Sequence, residues 1–261
     1  MTQKISQLKN RPPTLASLMI GDDPDALVYF RSQEKACTQV GILPKLHQLS
    51  DKATQKEVIH TLHALNHDPD IDGIILQMPL PKHLDKETIL REISWKKDVD
   101  CMTSINMGLL FMGTPYMIPG TPLSVMTMLS EYNIDLTGKE VVVIGRSNVV
   151  GKPLSILLLS KNATVTISHS KTKNLPQVSK KADIVVAAIG RAEMIDKSYI
   201  KDGAIVIDVG INYVDGKIMG DVKQEDVMNT ASYLTPVPGG IGSLTTTLLL
   251  QNTIKAFEQN R

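Results

Sequence analysis

The chain has 261 residues, a formal net charge of +1 and a hydrophobic fraction of 42%. This length allows one large or two medium domains, and the apolar content supports a sizeable core. The near-neutral charge gives no basis for binding nucleic acid or acidic membranes, and no apolar run reaches the roughly 18–20 residues of a membrane span. With two cysteines and no signal-peptide layout in the first twenty residues, a cytoplasmic protein without disulfides is expected.

The first half of the chain alternates strand and helix patterns. Short apolar runs predict strands at Thr14–Ile20, Lys45–Leu49 and Asp72–Gln77, the last of them stopped by prolines. Helical patterns fall between these strands, at Asp23–Gly41 and Gln55–Leu65. This alternation, with few aromatic residues, is typical of a parallel sheet joined by crossover helices.

The helix predicted at Asp23–Gly41 has a signal at each end. Asp23 can cap its N-terminus, and Pro24 suits the first helical position, where no backbone N–H is needed. Gly41 suits a left-handed stop at the other end.

One face of this helix carries a possible polar site. Tyr29, Gln33 and Cys37 follow one another at intervals of four residues, so they share that face. A phenol and a carboxamide stacked in this way could serve a binding site. The alternative is that Tyr29 is half buried and Gln33 is an ordinary surface residue.

Residues 98–122 are predicted to form a long irregular connection, because they combine acids, prolines and several glycines. Connections of this length within a compact domain are usually functional or act as linkers. A helix is predicted next, at Pro122–Tyr132, and it could run between two domains.

The second half also alternates strands and helices. Strands are predicted at Lys139–Ile144, Thr164–Ile167, Asp183–Ala188 and Ala204–Asp208, and a helix begins at Leu154–Ser160. In open α/β sheets, ligands bind beyond the C-terminal ends of the strands.

The turn Gly145–Pro153 is a candidate phosphate site, because small residues let backbone N–H groups and a helix N-terminus approach an anion. It lacks the usual GxGxxG spacing, and a tight turn without a ligand is the alternative. Sheets that bind NAD usually carry an acid about 20 residues further on. Ser168–Ser170 stands there instead, so Arg146 and the hydroxyl groups favour the 2′-phosphate of NADP. Arg146 could also bind the pyrophosphate, and His169 could be a neutral surface residue.

Several motifs from residue 14 to the C-terminus together carry a family resemblance. They are Tyr29–Lys35, Leu76–Pro81 with His83, Lys97–Asp100, Gly145–Pro153, Asp208–Asn212 and Thr235–Gly242. In this order and spacing, the chain resembles the methylenetetrahydrofolate dehydrogenase/methenyltetrahydrofolate cyclohydrolase family.

The resemblance implies two α/β domains with a cleft between them. Residues 1–121, completed by a C-terminal helix at about 243–261, would form the folate-binding domain. Residues 122–242 would form a Rossmann-type doubly wound parallel sheet that holds NADP. A tetrahydrofolate derivative is the implied substrate, no metal is implied, and the family is typically a homodimer.

The resemblance also assigns roles to side chains. Tyr29 would stack on and orient the pterin, Gln77 would assist the catalytic group at position 33, and Asp100 would hold the pterin edge. The remaining folate contacts would come from Leu76, Pro238, Gly239, Gly240 and Gly242. The cofactor contacts would come from Gly145, Arg146, Ser147, Ser170 and Ile211.

The chain departs from the family pattern at the catalytic position. Gln33 stands where the family has the lysine that activates water or manages protons at the one-carbon unit. Lys35 matches a separate lysine and lies about 200° around the helix from Gln33, so it cannot substitute. Further departures are Ala26 for serine, Cys101 for glycine, Gly120 for cysteine and Ser243-Leu244 for Pro-Met. The short N-terminus is also expected to lack the family's first helix.

These departures predict that only half of the family's chemistry survives. Hydride transfer mainly needs orientation of substrate and cofactor. Water addition and ring opening need a group that changes protonation, and glutamine cannot titrate. The expected function is therefore NADP-dependent oxidation of 5,10-methylene-tetrahydrofolate, with cyclohydrolase activity lost or very weak. The alternatives are a one-carbon transferase of a specialised pathway and a non-catalytic folate- or NADP-binding paralogue.

Overall fold

The computed structural model describes residues 11–260, except for the side chain of Asp25. Within this range the chain forms two compact units. The first comprises the residues up to Ile118 together with those from Thr246 onward, and the second comprises Pro119–Thr245. The predicted fold class is confirmed, because both units are α/β and the second is a Rossmann-type parallel sheet.

The first unit is built on a three-stranded parallel sheet of order β2-β1-β3. Its elements are β1 (Thr14–Ile20), α1 (Pro24–Val40), β2 (Leu43–Leu49), α2 (Gln55–His67), β3 (Gly73–Leu76), α3 (Lys86–Arg91) and α4 (Ser104–Phe111). All seven residues of β1 are buried, as an unbroken apolar run in a central parallel strand predicts. The three strands and two longer helices expected here are therefore confirmed.

The core of the first unit forms two apolar clusters. One includes Val58, Leu62 and Leu65 of α2. The other includes Leu249 and Ile254, which belong to the C-terminal helix α9 (Ile241–Gln259). In the same helix, Asn252 Nδ2 donates to the carbonyl oxygens of Val99 and Ile118, at 2.8 Å each. Residues of helix α9 thus complete the packing of the first unit.

Both predicted end signals of α1 are confirmed. The Asp23 carboxylate accepts a hydrogen bond from Ala26 N at 2.9 Å, and Pro24 occupies the first turn. Gly41 ends the helix with a φ of 87°, in the left-handed region that favours glycine.

The expectation that residues 98–122 are irregular is wrong, because α4 lies within them and α5 (Gly120–Glu131) begins before they end. The Thr103 side chain caps α4. The buried Asp98 carboxylate accepts hydrogen bonds from Met102 N and Thr103 N, and from Asn106 Nδ2. A carboxylate at a helix N-terminus is favourable, so Asp98 stabilises a helix that its own residues predict weakly.

The second unit is built on a five-stranded parallel sheet of order β10-β7-β6-β4-β5. Its strands are β4 (Glu140–Ile144), β5 (Thr164–Ser168), β6 (Ile184–Ala187), β7 (Ile205–Asp208) and β10 (Tyr233–Leu234), with an antiparallel hairpin of β8 (Asn212–Val214) and β9 (Lys217–Met219). Its remaining helices are α6 (Gly151–Leu159), α7 (Leu175–Ser179) and α8 (Gln224–Val227). The four strands predicted here are confirmed, although α6 begins earlier than expected, at Gly151.

The strand order places a topological switch point at β4. From β4 the chain passes to β5 on one side and then returns to β6 on the other. Such a point, at the C-terminal ends of the strands, is where open α/β sheets bind ligands.

Within residues 11–260, no helix has the length and apolar character that crossing a membrane requires.

Candidate active site

Gln33 and Gln77 form a buried hydrogen-bonded pair. Gln33 lies on α1 and Gln77 directly follows β3, and their exposed fractions are only 1% and 3%. Gln77 Nε2 donates to Gln33 Oε1 at 2.9 Å. The interpretation of Gln33 as an ordinary surface residue is therefore wrong. Its own Nε2 has no hydrogen-bond partner among the described residues, which leaves a buried donor available at this position.

Tyr29 lies one turn before Gln33 on α1 and keeps 43% of its surface exposed. Partial burial raises the pKa of the Tyr29 phenol, the negative charge of Asp100 raises it further, and the Gln33 side chain partly offsets both. The phenol therefore stays protonated at neutral pH and can donate a hydrogen bond.

Asp100 is a partly buried residue that follows the buried Val99. Removal from water raises the pKa of Asp100 to about 7, the nearby negative charge of Asp98 adds to this shift, and Lys86 opposes it. A carboxyl group that titrates near neutrality can serve either as a hydrogen-bond donor or as an acceptor.

Cys37, Leu76 and Lys35, which lie near the glutamine pair in sequence or on the same helix, differ in how far they are buried. Cys37 is fully buried, and burial raises the pKa of its thiol to about 12, so it is an inert core residue. Leu76 is 7% exposed and belongs to an apolar cluster. Lys35 is exposed, as its position on the opposite side of the helix predicts.

Two departures from the family pattern have local explanations. Cys101 has a φ of 56°, a conformation that glycine adopts freely and other residues adopt at a cost, which explains the glycine usual there. Its Sγ lies 3.4 Å from Met117 O. At Gly120, an added Cβ would lie 3.2 Å from Thr245 O, so a side chain would require a small adjustment of the backbone. Nothing in the structure explains Ala26.

The turn after β4 brings backbone close to backbone. A Cβ at Gly145 would collide with Ala188 O, and one at Gly151 would collide with Gly145 O. Ser147 Oγ accepts hydrogen bonds from Val150 N at 3.1 Å and Gly151 N at 3.5 Å, which holds the turn. Both glycines are therefore required by close packing, and the turn leads directly into the N-terminus of α6.

A pocket of about 260 Å³ lies beyond the ends of three neighbouring strands. Gly145, Arg146 and Ser147 line it from β4, His169 and Ser170 from β5, and Arg191 from the loop after β6. Four of the five predicted cofactor residues thus line one pocket. Arg191 was not predicted from the sequence, because it belongs to no motif and follows a strand whose end gave no signal.

The loop after β6 is held by a buried carboxylate that sequence analysis also missed. Asp221 is fully buried and accepts hydrogen bonds from the backbone N–H groups of Ile189, Gly190 and Arg191, at 2.6, 3.0 and 2.8 Å. Asp221 N in turn donates to the carboxylate of Asp208, at 2.9 Å. Burial raises the pKa of Asp208 to about 6, although several backbone N–H groups oppose the shift.

The remaining predicted residues lie elsewhere in the second unit. Ile211 follows β7 and is 54% exposed. A Cβ at Gly242 would lie 3.2 Å from Ile211 Cδ1, so these two predicted contacts adjoin each other. Gly239 and Gly240 line a separate, mostly apolar pocket of about 220 Å³ with Tyr132 and Tyr233. Pro238 follows a cis peptide bond.

The switch point and its glycine turn place the second unit among the dinucleotide-binding Rossmann folds. The sequence agrees. Residues 119–261 match the family "Tetrahydrofolate dehydrogenase/cyclohydrolase, NAD(P)-binding domain", and residues 1–100 match "Tetrahydrofolate dehydrogenase/cyclohydrolase, catalytic domain". The chain belongs to the tetrahydrofolate dehydrogenase/cyclohydrolase family of enzymes, which confirms the resemblance.

Curated relatives and solved structures agree with this assignment. A bifunctional protein FolD from Clostridium botulinum is 52% identical over 251 residues, which cover 96% of this chain and 89% of the relative. The crystal structure of a bifunctional FolD from Campylobacter jejuni has a TM-score of 0.96 at 42% identity, covering 100% of this chain and 93% of the other. A Trypanosoma brucei relative, solved with NADP cofactor and an inhibitor, has a TM-score of 0.94 at 34% identity, covering 99% and 92%.

Proposed function

We propose that this protein oxidises 5,10-methylene-tetrahydrofolate to the methenyl form with NADP⁺, and that its cyclohydrolase activity is lost or very weak. The observation that carries this proposal is the burial of Gln33 and its hydrogen bond to Gln77. By the family resemblance, we take Gln33 to stand at the position of the family's catalytic lysine. The Campylobacter jejuni relative is named for both activities, and we attribute the proposed loss to the side chain at position 33.

The oxidation depends on orientation of the substrate. Tyr29 offers an exposed aromatic face to a pterin, and Asp100 offers a carboxyl group that can hydrogen-bond to the pterin edge. Leu76 and Gln77 complete this group, and we assign the remaining folate contacts to Pro238, Gly239, Gly240 and Gly242. Bound NADP⁺ would supply the hydride acceptor. None of these residues has to change protonation for the hydride to leave.

The hydrolytic half-reaction has lost its titrating group. Water addition and ring opening need a group that accepts and returns a proton, and general acid–base help contributes about 10²–10⁴-fold. The Gln33 amide can only hold water or substrate through hydrogen bonds. Lys35 is exposed on another side of the helix and cannot replace the missing amine.

NADP is favoured over NAD by the pocket of the second unit. His169 and Ser170 follow β5, where NAD-binding folds usually carry an acid. Arg146 and Ser170 line this pocket and suit a 2′-phosphate. We therefore assign cofactor contacts to Gly145, Arg146, Ser147, Ser170 and Ile211.

We also propose that the protein is a homodimer, because the family it resembles is typically homodimeric. We propose that it is cytoplasmic, because its two cysteines do not make a disulfide framework. The proposed domains are residues 1–121 with 243–261, and residues 122–242. Sedimentation at several protein concentrations tests the dimer.

Two assays on the purified protein test the proposed activity. We expect NADP⁺ reduction with methylene-tetrahydrofolate, and no more than slow loss of methenyl-tetrahydrofolate absorbance. Rapid hydrolysis by the wild type that Tyr29→Phe abolishes would overturn the loss of cyclohydrolase. Folate binding without NADP⁺ reduction would overturn the dehydrogenase.

A further inference from the structure

We propose that Arg191 is a second guanidinium for the 2′-phosphate of the cofactor, and that it helps to select NADP over NAD. This inference rests on the proposed function, because it assigns a new residue to the same nucleotide pocket. Arg191 lies outside every motif that identified the family, and it enters the pocket from a different strand than Arg146.

The charge of the pocket points to a dianion. Arg146 and Arg191 both line it, and in residues 11–260 neither guanidinium takes part in an ion pair. None of the described residues lining the pocket is acidic. Two cations that share one cavity repel each other unless an anion lies between them, and a phosphate accepts hydrogen bonds from two guanidinium groups at once.

The donors reach the pocket from three adjacent strand ends. In the order β6-β4-β5, neighbouring strands lie about 4.8 Å apart, so side chains from β6 and β5 are separated by roughly 10 Å at their bases. Long arginine side chains can span such a gap to a shared ligand. His169 Nδ1 accepts a hydrogen bond from Lys171 N at 3.1 Å, so Nε2 is the ring atom left for a ligand.

The backbone of Arg191 is fixed. The buried Asp221 carboxylate binds three successive N–H groups ending at Arg191, and Asn212 Nδ2 donates to the same carboxylate at 3.0 Å. A long side chain on a fixed backbone loses less freedom when it binds a ligand. Asp221 is therefore a positioning residue, and Arg191 is the contact.

The test compares ligands that differ only in the 2′-phosphate. Wild type, Arg191→Gln and Arg191→Lys are titrated calorimetrically with 2′,5′-ADP and with 5′-AMP, and kcat and KM are measured with NADP⁺ and NAD⁺. The matched control is Lys173→Gln. It removes an exposed cation that follows the pocket residue Ser170 closely in sequence. Thermal unfolding of each variant checks that it is folded.

Arg191→Gln should weaken 2′,5′-ADP binding and raise the KM for NADP⁺ by roughly 10- to 100-fold, as expected for a lost charge-assisted hydrogen bond. Binding of 5′-AMP and the KM for NAD⁺ should stay unchanged, and Arg191→Lys should have an intermediate effect. Equal weakening of both ligands would instead place Arg191 on the adenine or pyrophosphate and overturn the proposal, as would no effect.

The outcomes also separate this inference from the proposed function. A wild type that reduces NADP⁺ but does not depend on Arg191 overturns the inference alone. A wild type that reduces neither coenzyme overturns the dehydrogenase, while the titration with 2′,5′-ADP still decides the role of Arg191.

Discussion

Gln77 Nε2 donates to Gln33 Oε1 at 2.9 Å, in a place that is almost closed to water. Two neutral amides meet through this single hydrogen bond, and Gln33 Nε2 is left without a partner among the described residues. A lysine at position 33 would bring a proton that can be released there, since burial lowers the pKa of an amine. Under the proposed function, hydrolysis of the methenyl group therefore depends on the side chain at position 33.

Gln33→Lys should restore cyclohydrolase activity. We expect an increase of about 10²–10⁴-fold in the hydrolysis of methenyl-tetrahydrofolate, because general acid–base help is regained. The rate is followed as loss of methenyl absorbance, with methylene-tetrahydrofolate oxidation measured in parallel. Glu34→Lys adds a lysine at the adjacent exposed position and serves as the matched control. If both variants hydrolyse equally slowly, position 33 does not limit the reaction.

The hydrogen bond between Gln33 and Gln77 should contribute to the free energy of unfolding of the protein. Gln77→Met leaves Gln33 Oε1 buried without its donor, which costs about 1–3 kcal/mol in the free energy of unfolding. Gln33→Met should cost a similar amount, whereas the double variant should cost less than the sum of the two. Urea unfolding of the four proteins measures this coupling. Strict additivity would contradict the hydrogen bond.

Asp100 should make both stability and activity depend on pH near neutrality. Its pKa is raised to about 7 in the folded protein, so the folded state binds more protons than the unfolded state between about pH 4 and 7. The wild type should therefore lose stability as the pH rises through this window, relative to Asp100→Asn. Urea unfolding at several pH values measures the difference.

The pH profile of kcat/KM for the dehydrogenase gives a second measurement. It should contain an ionisation near neutrality that Asp100→Asn removes. Parallel profiles for the two proteins would assign any such ionisation to another group. Asp208, whose pKa is raised to about 6, is present in both proteins and cancels in the comparison.

Gly145→Ala should destabilise the second unit strongly. Gly145 has a φ of 143°, and its added methyl group would collide with Ala188 O. Backbone strain and overpacking together predict a loss of about 2–6 kcal/mol. Gly138→Ala is the matched control, because its φ is 70° but no atom lies within 4 Å of the added Cβ. It should lose only about 1–2 kcal/mol. Equal losses in urea unfolding would show that close packing at Gly145 is unimportant.

Local patterns predicted most of the fold correctly. The caps of α1 and the buried run of β1 depend on residues adjacent in sequence, so their signals are complete within one segment. Helix α4 was missed because its stabilisation comes partly from Asp98, which lies outside the helix and is itself buried by tertiary packing.

The candidate site was less predictable, because its contacts join residues that are far apart in sequence. Spacing placed Tyr29 and Gln33 on one face, but it could not show that Gln33 is buried, because the partner Gln77 is 44 residues away. Arg191 and Asp221 are 30 residues apart, and only the folded sheet brings them together. Motifs reveal contacts that a family shares, whereas an isolated arginine becomes informative only through its neighbours in space.

The C-terminal helix has a consequence for synthesis on the ribosome. The core of the first unit includes Leu249 and Ile254, and Asn252 donates hydrogen bonds to the carbonyl oxygens of Val99 and Ile118. The second unit, by contrast, is contained in residues 119–245. The nascent chain can therefore complete its later unit first, whereas the earlier unit must wait, with apolar surface uncovered, for residues that follow the second unit. Chaperones that hold exposed hydrophobic segments should engage this protein through its N-terminal unit during translation.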